Sequence, residues 1–198
     1  MNIAVVGWGS LIWCPGSLSI RTRWRLDGPR LPIEFARISG DGRLTLVIHP
    51  GSEDQSTYWA MSALTMLADA RRDLSEREDA KLQDIHYLTR NGEAPGTSAP
   101  EVLNRIRDWL AMHEDLDAII WTGLRTNWRR KRGRDFTTED AVNYLTELEA
   151  ARDQMVTIYD RAREYIRNAP PQMQTAVRNA MRARGWADAQ LADVLFET

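Results

Sequence analysis

Glu78 stands where a carboxylate can transfer protons. Residues 64–79 read as a helix, in which Leu64, Leu67, Ala70 and Leu74 form one apolar stripe at about 100° per residue. Glu78 continues that stripe, about 40° from its centre, whereas Glu76 points about 160° away, toward solvent. A carboxylate on the core side loses its water, so its proton affinity rises toward the range useful for general acid–base work. Arg71 lies about 60° from the same centre, so the helix alone also allows a structural ion pair with Glu78.

The other stretch with chemical potential is Gly7-Trp-Gly-Ser-Leu-Ile-Trp13. Ile3 to Val6 precede it as a β-branched run that predicts a buried first strand. Gly7 and Gly9 then let the backbone turn and present main-chain N–H groups to an anion or a carboxylate. A plain strand-to-loop turn remains the alternative. A dinucleotide fingerprint is disfavoured: Ile12 stands at the third glycine position, and Pro15 and Gly16 interrupt the helix that should receive the pyrophosphate.

These two stretches need a scaffold. Leu31–Ile38 and Arg43–His49 flank Ser39-Gly-Asp-Gly42, which predicts a β-hairpin with Leu44–Ile48 as a central strand. Thr57–Ser62 reads as another strand, and Lys81–Leu88 as the strand after the Glu78 helix. Pro100 opens a helix carrying Val102, Leu103, Ile106, Trp109 and Leu110 at helical spacing. Ala118–Thr122 is an apolar strand expected beside the first. Thr137 is the expected N-cap of a helix running to Asn168, before Pro170 and Pro171. Two short helices follow, Gln172–Arg184 and Ala187–Phe196. The expected division is a domain over 1–135 and a helical extension over 136–198 packed on it.

Composition narrows the function classes. With 198 residues and 43% hydrophobic content the chain can bury a sizeable core. A formal charge of −2 gives no whole-chain argument for nucleic acid or membrane, and no apolar run approaches a membrane span. One cysteine, Cys14, excludes an internal disulfide, and three scattered histidines make a zinc site improbable, so no metal or cofactor is expected. Position 1 leads directly into strand residues without a leader pattern, which predicts a cytoplasmic protein. The run Arg125–Arg134 carries six basic residues around Trp128; a solvated loop is its ordinary reading, an anion clamp the functional one.

Gly7-Trp-Gly-Ser-Leu-Ile-Trp13 resembles the Tyr-Gly-Ser-Leu signature of the γ-glutamylcyclotransferase-like superfamily, with Trp8 in place of the usual tyrosine. Leu74-Ser-Glu-Arg-Glu78 matches that family's Leu-x-x-Arg-Glu spacing, although Asp79 stands where the family often has glycine. The order of elements agrees over about the first 90 residues. The resemblance implies an α+β fold: a small barrel or twisted, mostly antiparallel sheet with flanking helices. It also implies a cofactor-free enzyme that cleaves a γ-glutamyl amide, a lyase or acyltransferase. In it the substrate's α-amino group attacks its own γ-carbonyl, giving 5-oxoproline and a free amine. Glu78 is the implied catalytic residue, and Trp8, Gly9, Ser10, Leu11 and Ile12 the implied substrate-binding turn. The alternative expectation is a non-catalytic small-molecule-binding or adaptor protein on the same fold, with Arg125–Arg134 touching an anionic partner. The C-terminal helices leave open a homodimer.

Overall fold

The computed structural model describes residues 1–94 and 98–186, and the second of the two short helices expected near the C-terminus lies outside them. The fold is mixed α and β, with two separate sheets and no closed barrel among the described residues. A single barrel-like sheet is therefore not what forms. The strands divide between two compact units, residues 1–31 with 56–124, and residues 32–55 with 125–186.

In the first unit β1 (Ile3–Gly7) is central. It pairs antiparallel with β5 (Tyr58–Met61), Ala4 opposite Met61, and parallel with β7 (Ala118–Thr122), Ile3 opposite Ala118. Next, β6 (Ile85–Thr89) pairs antiparallel with β7, giving the order β5-β1-β7-β6. All five β1 residues are buried, as a continuous β-branched run with both faces covered requires. Helix α2 (Leu67–Arg77) packs over β6 and β7 and places Ala70 and Leu74 in a core with Leu11, Ile12, Trp24, Tyr58 and Tyr87. It begins three residues later than its apolar spacing suggests, because Leu64 belongs to the preceding loop. Helix α3 (Pro100–Ala111) starts on its proline as expected and buries Val102, Ile106, Trp109 and Leu110.

The second unit holds the hairpin β2 (Leu31–Ile38) and β3 (Leu44–Ile48), with a two-residue β4 (Asp54–Gln55). The sheet order is β3-β2-β4, so β2 and not β3 is the central strand. Gly42 turns the hairpin at a φ of 82°, in the left-handed region that favours glycine. The basic run is not a plain loop: α4 (Trp128–Arg132) forms within it and buries Trp128. The long helix expected from Thr137 is two helices, α5 (Thr138–Ala150) and α6 (Val156–Asn168), although Thr137 does cap the first by accepting the Asp140 N–H. The break falls on Arg152, Asp153 and Gln154, which offer no apolar group to hold a helix against the core. Helix α7 (Ala176–Ala183) follows. No helix among the described residues is long and apolar enough to cross a membrane.

Candidate active site

The opening stretch folds as a strand that ends in one short turn of helix. Gly9 caps that turn, α1 (Ser10–Trp13). Gly7 is there for space: a Cβ would come within 3.0 Å of Leu11 Cδ2 and 3.1 Å of Ile12 Cδ1. Leu11 and Ile12 point into the core, and Trp8 is buried as well, so these side chains shape the turn from behind. The Ile12 N–H donates to the Gly9 carbonyl at 3.0 Å, which removes it from the expected set of main-chain donors. The amides that precede it, at Ser10 and Leu11, are those the turn itself leaves without a helical acceptor.

Glu78 is the C-cap of α2, and its side chain is 20% exposed. The apolar stripe thus does carry it inward. Its partner is not Arg71, whose guanidinium donates to the Leu82 and Ile85 carbonyls and lies over the Tyr87 ring. The partner is Arg77, Nη1 of which lies 3.0 Å from Glu78 Oε1. The same guanidinium reaches the glycine turn at Ser10 Oγ, 3.4 Å away, and the residues that follow it, donating to the Cys14 carbonyl at 2.6 Å and the Pro15 carbonyl at 3.1 Å. Burial pushes the Glu78 carboxyl above the ordinary carboxylate range, and the Arg77 cation acts against that rise.

One guanidinium therefore joins the two stretches that the sequence singles out, Ser10 on one side and Glu78 on the other. Sequence reading overlooks Arg77 because α2 is scored for its apolar face. Yet helical rotation puts it about 60° from the stripe centre, on the side opposite Arg71. A second tether holds α2 to the same segment: the Asp73 carboxylate accepts the Ser19 N–H at 2.8 Å.

Directly after Glu78 the chain makes its only left-handed turn at a non-glycine residue among the described positions, Asp79 at a φ of 46°. Ala80 N–H then returns to the Ser75 carbonyl, and Ser75 Oγ donates to the Ala80 carbonyl at 2.6 Å. This turn sends the chain into β6, preceded by a short 3-10 turn at Leu82–Asp84.

The second unit contains a cavity of about 320 Å³ that no local pattern announces, lined in part by Glu34, His49, Ser52, Phe136 and Thr138. Burial raises the proton affinity of Glu34 and lowers that of His49. The Glu34 oxygens are already engaged by chain N–H groups, those of Phe35 at 2.7 Å and Ala176 at 2.9 Å, so Glu34 clamps β2 to the start of α7. Within the basic run Arg129 pairs with Asp135, Arg132 with Glu147 and Arg134 with Asp140.

Comparison with family models, curated proteins and solved structures finds no match.

Proposed function

We propose that the chain is a γ-glutamylcyclotransferase-like enzyme that cleaves a γ-glutamyl amide by intramolecular attack, releasing 5-oxoproline and an amine or amino acid. The observation that supports this best is the Glu78 carboxylate, desolvated yet tethered to the Gly7–Trp13 turn. In the reaction the substrate's α-amino nitrogen bonds to its own γ-carbonyl carbon, and the γ-amide C–N bond breaks. Glu78 takes a proton from the α-ammonium group, and the attacking nitrogen gives up a second as the lactam N–H forms; the leaving nitrogen gains both and departs as an ammonium ion, so no net proton is consumed. Burial suits that role because a carboxylate with raised proton affinity is a stronger base near neutrality. The Ser10 and Leu11 amides hold the γ-glutamyl group, and orientation supplies most of the rate for a ring closure within one molecule.

Asp79, in place of the family's usual glycine, does not count against this reading. It adopts the left-handed backbone that a glycine would take there, and aspartate is among the residues that tolerate it. Trp8 in place of tyrosine is buried behind the turn and leaves open a second reading, a binding module on the same scaffold.

A panel of γ-glutamyl peptides and γ-glutamyl amines, assayed for 5-oxoproline and in parallel for thermal shift, tests both. Release of 5-oxoproline by the wild-type chain, lost in Glu78→Gln, supports the enzyme. Stabilisation without turnover assigns the binding module instead. Turnover that survives Glu78→Gln refutes the mechanism.

A further inference from the structure

We propose that Arg77 is the positioning residue of this site, holding the Glu78 carboxylate against the glycine turn through a guanidinium whose other donors are fixed to that turn. The catalytic consequence rests on the cyclotransferase reading; the positioning itself does not.

Adjacent residues in a helix do not face each other, since they project about 100° apart. Arg77 and Glu78 nevertheless meet through their long side chains at the C-terminal end of α2, where Glu78 is the cap. The Arg77 side chain is only 15% exposed, and its Nε and Nη2 donate to acceptors 62 to 67 residues away in sequence. The segment after α1 closes over its stem: at Gly16, where φ is 61°, a Cβ would lie 3.4 Å from Arg77 Cδ. The carboxylate therefore faces a cation that cannot swing away. Lysine cannot reproduce this arrangement. A single ammonium point charge cannot meet Ser10 Oγ and the Cys14 and Pro15 carbonyls and still reach Glu78, whereas a planar fork can.

The other charged groups of the region act elsewhere. On α2, Arg71 is held by the Leu82 and Ile85 carbonyls and Asp73 by Ser19, while Asp79 leaves the helix in a left-handed turn. The charge that opposes burial at Glu78 is that of Arg77.

The decisive measurement is a carboxyl carbon-13 NMR titration of the full chain, with the Glu78 resonance assigned by its loss in Glu78→Gln. In Arg77→Met burial acts unopposed, so the Glu78 midpoint moves to higher pH. Arg77→Gln, which keeps an amide donor for the turn, is titrated beside it and moves the same way. In the 5-oxoproline assay the acidic limb of kcat/KM follows the same displacement. Arg77→Lys keeps a charge but loses the geometry, and lowers kcat by about tenfold or more, the scale on which a displaced catalytic group loses rate. An unmoved Glu78 midpoint in either neutral variant, with a cooperative melt showing that it is folded, overturns the proposal. A wild-type chain that releases no 5-oxoproline overturns the cyclotransferase reading, and the titration then still decides the role of Arg77.

Discussion

Ser10 and Glu78 accept hydrogen bonds from the two ends of one guanidinium, Arg77 Nη2 to Ser10 Oγ at 3.4 Å and Nη1 to Glu78 Oε1 at 3.0 Å. Residues far apart in the chain are thereby brought to a single guanidinium. Because Arg77 also holds the Cys14 and Pro15 carbonyls, the contact belongs to the packing of α2 against the α1 segment and not to the helix alone.

Replacing Glu78 with glutamine removes the proton acceptor while keeping size and shape. The expected result is loss of 5-oxoproline release, with a folded chain by circular dichroism. Stability gives an independent sign. The folded-state proton affinity of Glu78 is raised above the unfolded one, so the folded chain binds more protons between the two values. Stability from this group therefore falls as pH rises from the ordinary carboxylate range through the raised value. Glu78→Gln removes that fall, so thermal melts of the variant lose less stability than the wild type across the same window. A variant that loses more indicates that the carboxylate is net stabilising, contrary to its burial.

Asp79 accepts a backbone conformation that costs most L-residues about 1–2 kcal/mol, and aspartate somewhat less. Asp79→Gly is expected to stabilise the chain by about 0.5–1 kcal/mol and to keep the turn that sets Glu78 in place. Asp79→Val, β-branched, is expected to destabilise it. Urea melts of the three chains check the order, and a glycine variant weaker than wild type refutes the account of this turn.

Gly123 lies directly against the ring of His86, and a Cβ there would collide with Nε2 and the ring carbons beside it. The imidazole is buried and its Nδ1 is 2.7 Å from Ser98 Oγ, so it does not yield easily. Gly123→Ala should therefore destabilise the first unit by about 1–3 kcal/mol, as overpacking does. A double variant with His86→Ala should recover part of the loss, which chemical denaturation of the single and double variants measures.

Local pattern carried much of this architecture. The β-branched run at Ile3–Val6, the Asp-Gly turn of the hairpin, and the proline start of α3 are each set by neighbours in sequence, and each forms where the pattern puts it. The inward face of Glu78 was legible for the same reason, as a helical period. The rest depends on pairing over long sequence distances. Nothing near Leu44 says that β2 and not β3 is flanked on both sides, because that depends on β4 returning after the loop at Pro50. The apolar pattern even points the wrong way, since β3 has Thr45 as its only polar residue while the central β2 carries Glu34 and Arg37. The break between α5 and α6 was hidden because Met155 and Ile158 keep the apolar spacing across it, and no glycine or proline marks the site. Arg77 was hidden because its acceptors are backbone carbonyls, which sequence patterns do not display.

Glu34 carries the last prediction. It sits in the middle of β2, 3% exposed, in a strand where Arg37 is the one other charged residue. Oε1 accepts the Phe35 N–H at 2.7 Å, and Oε2 accepts the first N–H groups of α7, Ala176 at 2.9 Å and Val177 at 3.4 Å. Those amides have no helical acceptor of their own, and an anion at a helix start is favoured by the dipole. Glu34→Ala leaves them buried without their acceptor and should destabilise the chain by about 1–3 kcal/mol. Glu34→Gln keeps one oxygen but turns an NH2 group toward N–H donors, so it should fall between the wild type and alanine. Burial, the largest influence on Glu34, raises its proton affinity despite these hydrogen bonds. Its stability contribution therefore also falls as pH rises above the ordinary carboxylate range, and Glu34→Gln should flatten that part of the profile. Because Glu78 titrates in the same direction, melts of Glu34→Gln, Glu78→Gln and the double variant separate the two, with additive slopes expected for groups that share no partner. A Glu34→Ala chain as stable as wild type would show that α7 is held by its apolar face, Val177 and Met181, and not by this carboxylate.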